Sequence, residues 1–273
     1  MIVFPNCKIN LGLHILRKRS DAFHDLETVF YPLPLQDGLE IIQNEVKEPS
    51  LTFSTSGLPV DGKPEDNICF KAYHLLKRHF PELPSVKMHL HKAIPMGAGL
   101  GGGSADGAYT LLLLNKKFNL GLSEAELIDF ALQLGSDAPF FVLNQPCYAT
   151  GRGEQMAPIA LDLSPYKTVI VNPGLHINTG WAFSQLTPQD ERPSLKERIQ
   201  LPIEKWKDVI INDFEGPVAS LYPEIAGIKQ ALYQQGALYA AMSGSGSTVF
   251  GIFPKELSLN SLSFPAHYLT REV

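Results

Sequence analysis

Residues 95 to 104 read Pro95-Met96-Gly97-Ala98-Gly99-Leu100-Gly101-Gly102-Gly103-Ser104. Five of the seven residues from Gly97 to Gly103 are glycine, where an ordinary strand-to-helix turn needs one or two. Without a Cβ the backbone can take positive φ angles and come close to a ligand. A helix is predicted from about Ala105 to Lys117, directing its unsatisfied N–H groups and positive dipole end back at the loop. Pro95–Ser104 with Ala105 is therefore expected to cradle phosphate.

Three familiar phosphate loops do not fit. Gly97, Gly99 and Gly102 satisfy G-x-G-x-x-G, but a dinucleotide fold needs a strand about one helix later. Here a second helix is predicted, with Ser123 and Glu126 in capping-box spacing. A P-loop needs lysine followed by serine or threonine after its glycines, and none follows Gly103. The downstream signatures of protein kinases are also missing.

The chain of 273 residues suits one large domain or two ordinary ones. Hydrophobic residues make up 44% of it, enough for a full core, and the net charge of -5 speaks against a nucleic-acid partner. No apolar run approaches the roughly 18 residues of a membrane span. The N-terminus lacks the basic and apolar regions of a signal peptide. Cys7, Cys69 and Cys147 are widely spaced, which predicts neither disulfide nor zinc and fits a cytoplasmic protein. No obligate protein partner is expected.

Alternation over residues 8–15 and 86–90 predicts half-buried strands, with further strands at 28–31, 39–42, 168–171 and 248–253. Helices are predicted from Asn67 to about Phe80, stopped by Pro81, and over 223–235. Residues 188–201, polar and proline-rich, read as an exposed loop. Strands and helices mix without βαβ alternation, which predicts an α+β protein of two lobes, 1–153 and 154–273.

Other short motifs are ambiguous alone. Lys8, in Cys7-Lys8-Ile9-Asn10-Leu11, would ordinarily be a solvated lysine. Phe23-His24 would be a packed aromatic beside an exposed histidine. Asp137, in Gly135-Ser136-Asp137-Ala138-Pro139-Phe140-Phe141, could cap a helix, although its apolar flanks predict a buried carboxylate in need of a partner, which Lys8 could supply. Ser243-Gly244-Ser245-Gly246 could be a simple turn, or a second backbone cradle. Lys92, three residues before Pro95, could reach a nucleotide.

Taken together and in order, these segments resemble the GHMP kinase superfamily, whose loop reads P-x-G-x-G-L-G-S-S. The triple glycine and Phe23-His24 resemble the branch whose acceptor is a cytidine-bearing sugar alcohol. The resemblance runs from about residue 5 to residue 253. It implies an N-terminal lobe like the second domain of ribosomal protein S5 and a ferredoxin-like C-terminal lobe. ATP would bind at the glycine loop and Mg²⁺ would accompany it, with Ser104 the one candidate ligand. Lys8 and Asp137 would be catalytic, Asp137 as base. Asn10, Phe23, His24, Phe183 and Ser243–Gly246 would meet the acceptor, with Phe23 and Phe183 sandwiching cytosine and His24 reading its edge. Ala22, Phe23 and Ser247 depart from the usual glycine, tyrosine and proline. Ala22 predicts a slightly different turn. The readings set aside are a homoserine or mevalonate kinase, a silent nucleotide-binding relative, and a dinucleotide oxidoreductase.

Overall fold

The computed structural model describes residues 1–46, 50–259 and 262–273. The strands are β1 (Ile2–Val3), β2 (Asn6–Lys18), β3 (His24–Gln36), β4 (Gly38–Gln43), β5 (Leu51–Gly57), β6 (Val86–Lys92), β7 (Cys147–Thr150), β8 (Gln155–Pro158), β9 (Tyr166–Asn172), β10 (Tyr239–Met242), β11 (Val249–Pro254) and β12 (Leu269–Glu272). The helices are α1 (Ile68–His79), α2 (Gly102–Phe118), α3 (Glu124–Leu134), α4 (Ala138–Leu143), α5 (Thr179–Ser184), α6 (Leu195–Arg198), α7 (Trp206–Val209), α8 (Glu215–Leu221) and α9 (Pro223–Gln234). None of the described helices is long and apolar enough to cross a membrane.

The chain forms two compact units, neither continuous in sequence. The first gathers Met1–Cys7, Pro34–Met96 and Gly101–Gln145; the second gathers Lys8–Leu33, Gly97–Leu100 and Pro146–Val273. Residues 8–33 thus cluster with the C-terminal half, which no change of composition along the chain announces.

In the first unit one sheet runs β1-β4-β6-β5, with β5 parallel to β6 and the other pairs antiparallel. Val86, Met88 and Leu90 point into the core while Lys87 and His91 are exposed. The same alternation puts Lys92 on the buried side. Tyr73 and Leu76 of α1 and Leu111 and Leu114 of α2 complete the core over this face. Asn67 caps α1 by accepting from the Cys69 N–H, and α3 carries the expected capping box. Helix α2 starts three residues before Ala105 because Gly101 sits at its N-cap with φ +70°, a conformation glycine takes without strain.

In the second unit β10-β11-β9-β12 form an antiparallel sheet. Its core joins Val169, Val171, Met242, Val249 and Phe253 to Ile225, Ile228 and Leu232 of α9. A further sheet runs β2-β3-β7-β8. Strand β2 departs from expectation. All positions from Asn6 to Ile15 are buried, so its polar side chains need partners rather than water. Residues 188–201 are not wholly an exposed loop: they hold α6, and Leu195 and Ile199 are buried.

Candidate active site

The second unit brings together three segments that the sequence leaves far apart. Lys8 and Asn10 lie on β2, Gly97–Leu100 is the first half of the glycine loop, and Ser243 begins the turn after β10. Lys8, Asn10 and Ser243 are 3%, 2% and 0% exposed. The Lys8 ammonium donates to Asn10 Oδ1 at 2.6 Å and to the Gly99 carbonyl at 3.3 Å. The Lys8 backbone N–H donates to the Leu100 carbonyl at 2.9 Å. Ser243 Oγ accepts from the Asn10 N–H at 3.1 Å and donates to the Gly99 carbonyl at 2.8 Å. Asn10 Nδ2 reaches Thr28 Oγ1 at 2.9 Å.

Local sequence explains this closeness. Gly99 has φ +78°, and a Cβ there would stand 2.0 Å from the Ser243 carbonyl oxygen. Only glycine fits. Thr248 N–H donates to the Ala98 carbonyl at 3.2 Å, a second tie from the Ser243–Thr248 turn to the loop. Asn212 was not singled out by any motif. Its buried amide donates to the carbonyls of Met242 at 2.7 Å and Gly244 at 2.8 Å and so fixes that turn from below. Ser245 Oγ lies 3.0 Å from Thr179 Oγ1.

The aromatic residues are also in the second unit. His24 stacks on Phe183 with ring centroids 4.8 Å apart and planes 17° apart, and burial, then Lys18, lowers the His24 imidazole from its ordinary range. Phe183 meets Phe214 edge-on at 4.9 Å. Phe23 is 51% exposed, and the Arg152 guanidinium lies 4.8 Å over its ring. The ring found against Phe183 is thus that of His24. Ala22 takes φ +67°, so alanine here occupies the left-handed conformation that the family's glycine favours. Arg19 holds Asp21 and Asp25 on either side of it.

The first unit holds the other half of the loop. Gly101 offers no side chain to cap α2, so the first N–H groups of α2 are left for another acceptor. Asp137 is half-buried at the N-cap of α4, with Pro139 in the first turn, and its carboxylate makes no capping bond. The simple capping role is therefore not the one it plays. Lys92 differs from expectation. Its side chain is fully buried, and its ammonium pairs with Asp37 and, at 2.7 Å, with Asp106. An ammonium engaged in this way is part of the core and is not presented to a nucleotide. Among the described residues no group of three or more His, Cys, Asp or Glu could hold a metal ion. The described carboxylates thus build no cage of their own for Mg²⁺.

Glycine-rich backbone turns on an α+β scaffold of two units are the layout of a class of small-molecule kinase. The family model of the GHMP kinases N terminal domain matches residues 67–145, and that of the GHMP kinases C terminal matches residues 204–262. The chain belongs to the GHMP kinases. It is 50% identical over 269 residues to the 4-diphosphocytidyl-2-C-methyl-D-erythritol kinase of Bacteroides fragilis (strain YCH46), covering 98% of this chain and 97% of that one. It is 48% identical over 269 residues to the same kinase of Azobacteroides pseudotrichonymphae genomovar. CFP2, covering 98% and 99%. A crystal structure of 4-(cytidine 5'-diphospho)-2C-methyl-D-erythritol kinase aligns with TM-score 0.77 and 33% identity over 92% of this chain and 90% of that one. A mevalonate kinase aligns with TM-score 0.75 at 13% identity, covering 100% and 98%, and shows the fold alone.

Proposed function

We propose that this chain transfers the γ-phosphoryl group of ATP to the 2-hydroxyl of 4-diphosphocytidyl-2-C-methyl-D-erythritol, a step in non-mevalonate isoprenoid precursor biosynthesis, and that it does so in the cytoplasm. The observation that carries the reading is the convergence of Lys8 and Ser243 on the Gly99 carbonyl, with Asn10 bonded to both. The three motifs that resemble the family fall on one piece of backbone, as a phosphate site requires.

Phosphoryl transfer depends on in-line placement and charge neutralisation more than on covalent chemistry. The N–H groups from Gly101 to Ser104 receive the phosphates. Asp137 accepts the acceptor's hydroxyl proton. A carboxylate is a much weaker base than an alkoxide, so placement and electrostatics supply most of the rate. Lys8 supplies fixed positive charge, and its bonds to Asn10 and Gly99 hold it in one direction. Phe23, His24 and Phe183 take the cytosine: the rings stack and His24 contributes hydrogen bonding. Mg²⁺ travels with the phosphates of ATP.

ADP release measured with single acceptors tests the reading. Turnover with the cytidyl compound is expected to exceed that with homoserine or mevalonate by at least a hundredfold. Equal rates would remove the acceptor assignment and leave a GHMP kinase of another substrate.

A further inference from the structure

Three ionisable side chains are buried together beneath the start of α2. Lys92, Asp37 and Asp106 are each 1% exposed. Removing ions from water costs several kcal/mol apiece, and apolar residues of similar volume commonly hold a core at least as well. Stability alone therefore does not account for the cluster. Its bonds do, because they tie specific pieces of backbone. Asp37 lies between β3 and β4. Its Oδ1 accepts from the N–H groups of Ala93 at 2.6 Å and Ile94 at 2.9 Å, and its Oδ2 takes the Lys92 ammonium. Asp37 N–H is itself anchored on the Pro5 carbonyl at 2.8 Å. Lys92 then donates to Asp106 Oδ2 at 2.7 Å, on the fifth residue of α2. A Cβ on Gly102 would stand 2.8 Å from Ile94 Cγ2 and 3.4 Å from Lys92 Nζ. The end of β6, the turn into Pro95 and the first turns of α2 are all tied to one Asp37–Lys92–Asp106 cluster.

We propose that Lys92 is a positioning residue for the nucleotide: through Asp37 and Asp106 it fixes the direction in which the backbone N–H groups at the start of α2 meet phosphate. The inference rests on the kinase reading above. It needs no contact between Lys92 and ATP. It also needs the Lys92–Asp106 hydrogen bond rather than a second negative charge. Asp106 Oδ1 has no hydrogen-bond partner, and burial, with Asp37 adding to it against Lys92, lifts this carboxyl to about 7. An asparagine at 106 would keep the acceptor for Lys92 and remove the charge.

The experiment compares Asp106→Ala and Asp106→Asn with the wild type. Asp106→Ala leaves Lys92 paired with Asp37, so no lone buried charge remains. Stability in urea, ADP affinity by calorimetry without acceptor, and separate KM values for ATP and the acceptor are measured. We expect Asp106→Ala to weaken ADP and raise the KM for ATP about tenfold, with the acceptor KM within twofold, and Asp106→Asn to stay within about threefold of wild type. A folded Asp106→Ala with native nucleotide affinity overturns the proposal. So does a parallel rise in both KM values, or an Asp106→Asn as impaired as the alanine. Should Asp106→Ala fail to fold, Lys92→Met with Asp37→Asn and Asp106→Leu removes all three charges while an amide oxygen at 37 still accepts from the Ala93 and Ile94 N–H groups, and native ADP affinity in that variant overturns the proposal equally. Wild-type turnover on the cytidyl acceptor tests the kinase reading separately, and calorimetry with ADP alone tests Lys92 even if the acceptor is another alcohol.

Discussion

Gly99 and Ser243, 144 positions apart, are joined by the serine hydroxyl donating to the glycine carbonyl at 2.8 Å, and a Cβ on Gly99 would lie 2.0 Å from the Ser243 carbonyl oxygen. Backbone meets backbone there, and neither side has a flexible side chain to move away.

Gly99→Ala should therefore be far worse than a positive φ alone explains. Gly121 has φ +76° with nothing within 4 Å of a Cβ, so Gly121→Ala carries only the conformational cost, about 1–2 kcal/mol. We expect Gly99→Ala to lose at least about 1 kcal/mol more in urea unfolding and to reduce nucleotide affinity at least tenfold. Equal stability losses in the two variants would mean that the Gly99–Ser243 approach is not a constraint.

Asp137→Asn should fold and bind ATP normally, because the swap is close in shape and the carboxylate makes no capping bond. Turnover should fall by about 10²-fold or more, the usual worth of a positioned base. Single-turnover phosphorylation measures this directly. A near-native rate would remove Asp137 as the base.

Phe23→Ala should spare stability, since the ring is 51% exposed. Stacking on a base is worth about 1–3 kcal/mol, so the acceptor KM should rise about tenfold while the KM for ATP stays unchanged. If the ATP KM moved instead, the aromatic pocket would belong to the nucleotide. Phe183→Ala should raise the acceptor KM too and also cost stability, because Phe183 packs against both His24 and Phe214.

Glu27 predicts a loss of stability in acid. Burial raises its carboxyl, but hydrogen bonds from His14, Tyr148, Ser194 and the Leu195 N–H outweigh that and bring it from 4.5 down to about 2. A carboxyl depressed by folding stabilises fully above its unfolded value and loses that contribution as pH falls through the folded one. At about 1.4 kcal/mol per pH unit, Glu27 contributes about 3 kcal/mol above pH 4.5, declining towards pH 2. The stability gap between wild type and Glu27→Gln should narrow from pH 7 to pH 3. A gap independent of pH would show that the bonds to Glu27 do not depend on its charge.

The motifs were legible because they are local: glycine spacing, a strand carrying Lys8 and Asn10, a capping box at Ser123. What they do to one another was not. The approach of Ser243 to Gly99 joins residues 144 apart in a relation that no window of sequence contains. Lys92 was read as a nucleotide contact because it stands near the loop. Its actual partners, Asp37 and Asp106, are 55 and 14 residues away, and strand parity turns it inward. Strand β2 looked half-buried, yet polar alternation cannot reveal that both faces are covered. Asn212 carries no motif at all, since an asparagine holding two carbonyls looks like any other asparagine in sequence. The motifs single out Phe23, His24 and Phe183 as expected acceptor contacts, with Phe23 and Phe183 facing each other across a base, whereas the face-to-face partner of Phe183 in the structure is His24.

The assignment of residues 8–33 to the second unit bears on how the protein is made. Leu13 exchanges backbone bonds with Ile211 and Asp213, and the Ile15 N–H donates to the Asp213 carboxylate across 198 positions. A ribosome adding about 5–20 residues per second exposes this strand some 10–40 seconds before residues 211–213 emerge. The second unit can be completed only after residues 211–213 have been made. The strand that carries Lys8 has its sheet neighbour β3 directly behind it in the chain, but its second edge waits for residues 211–213, and a chain cut before residue 211 leaves Leu13 and Ile15 without those partners.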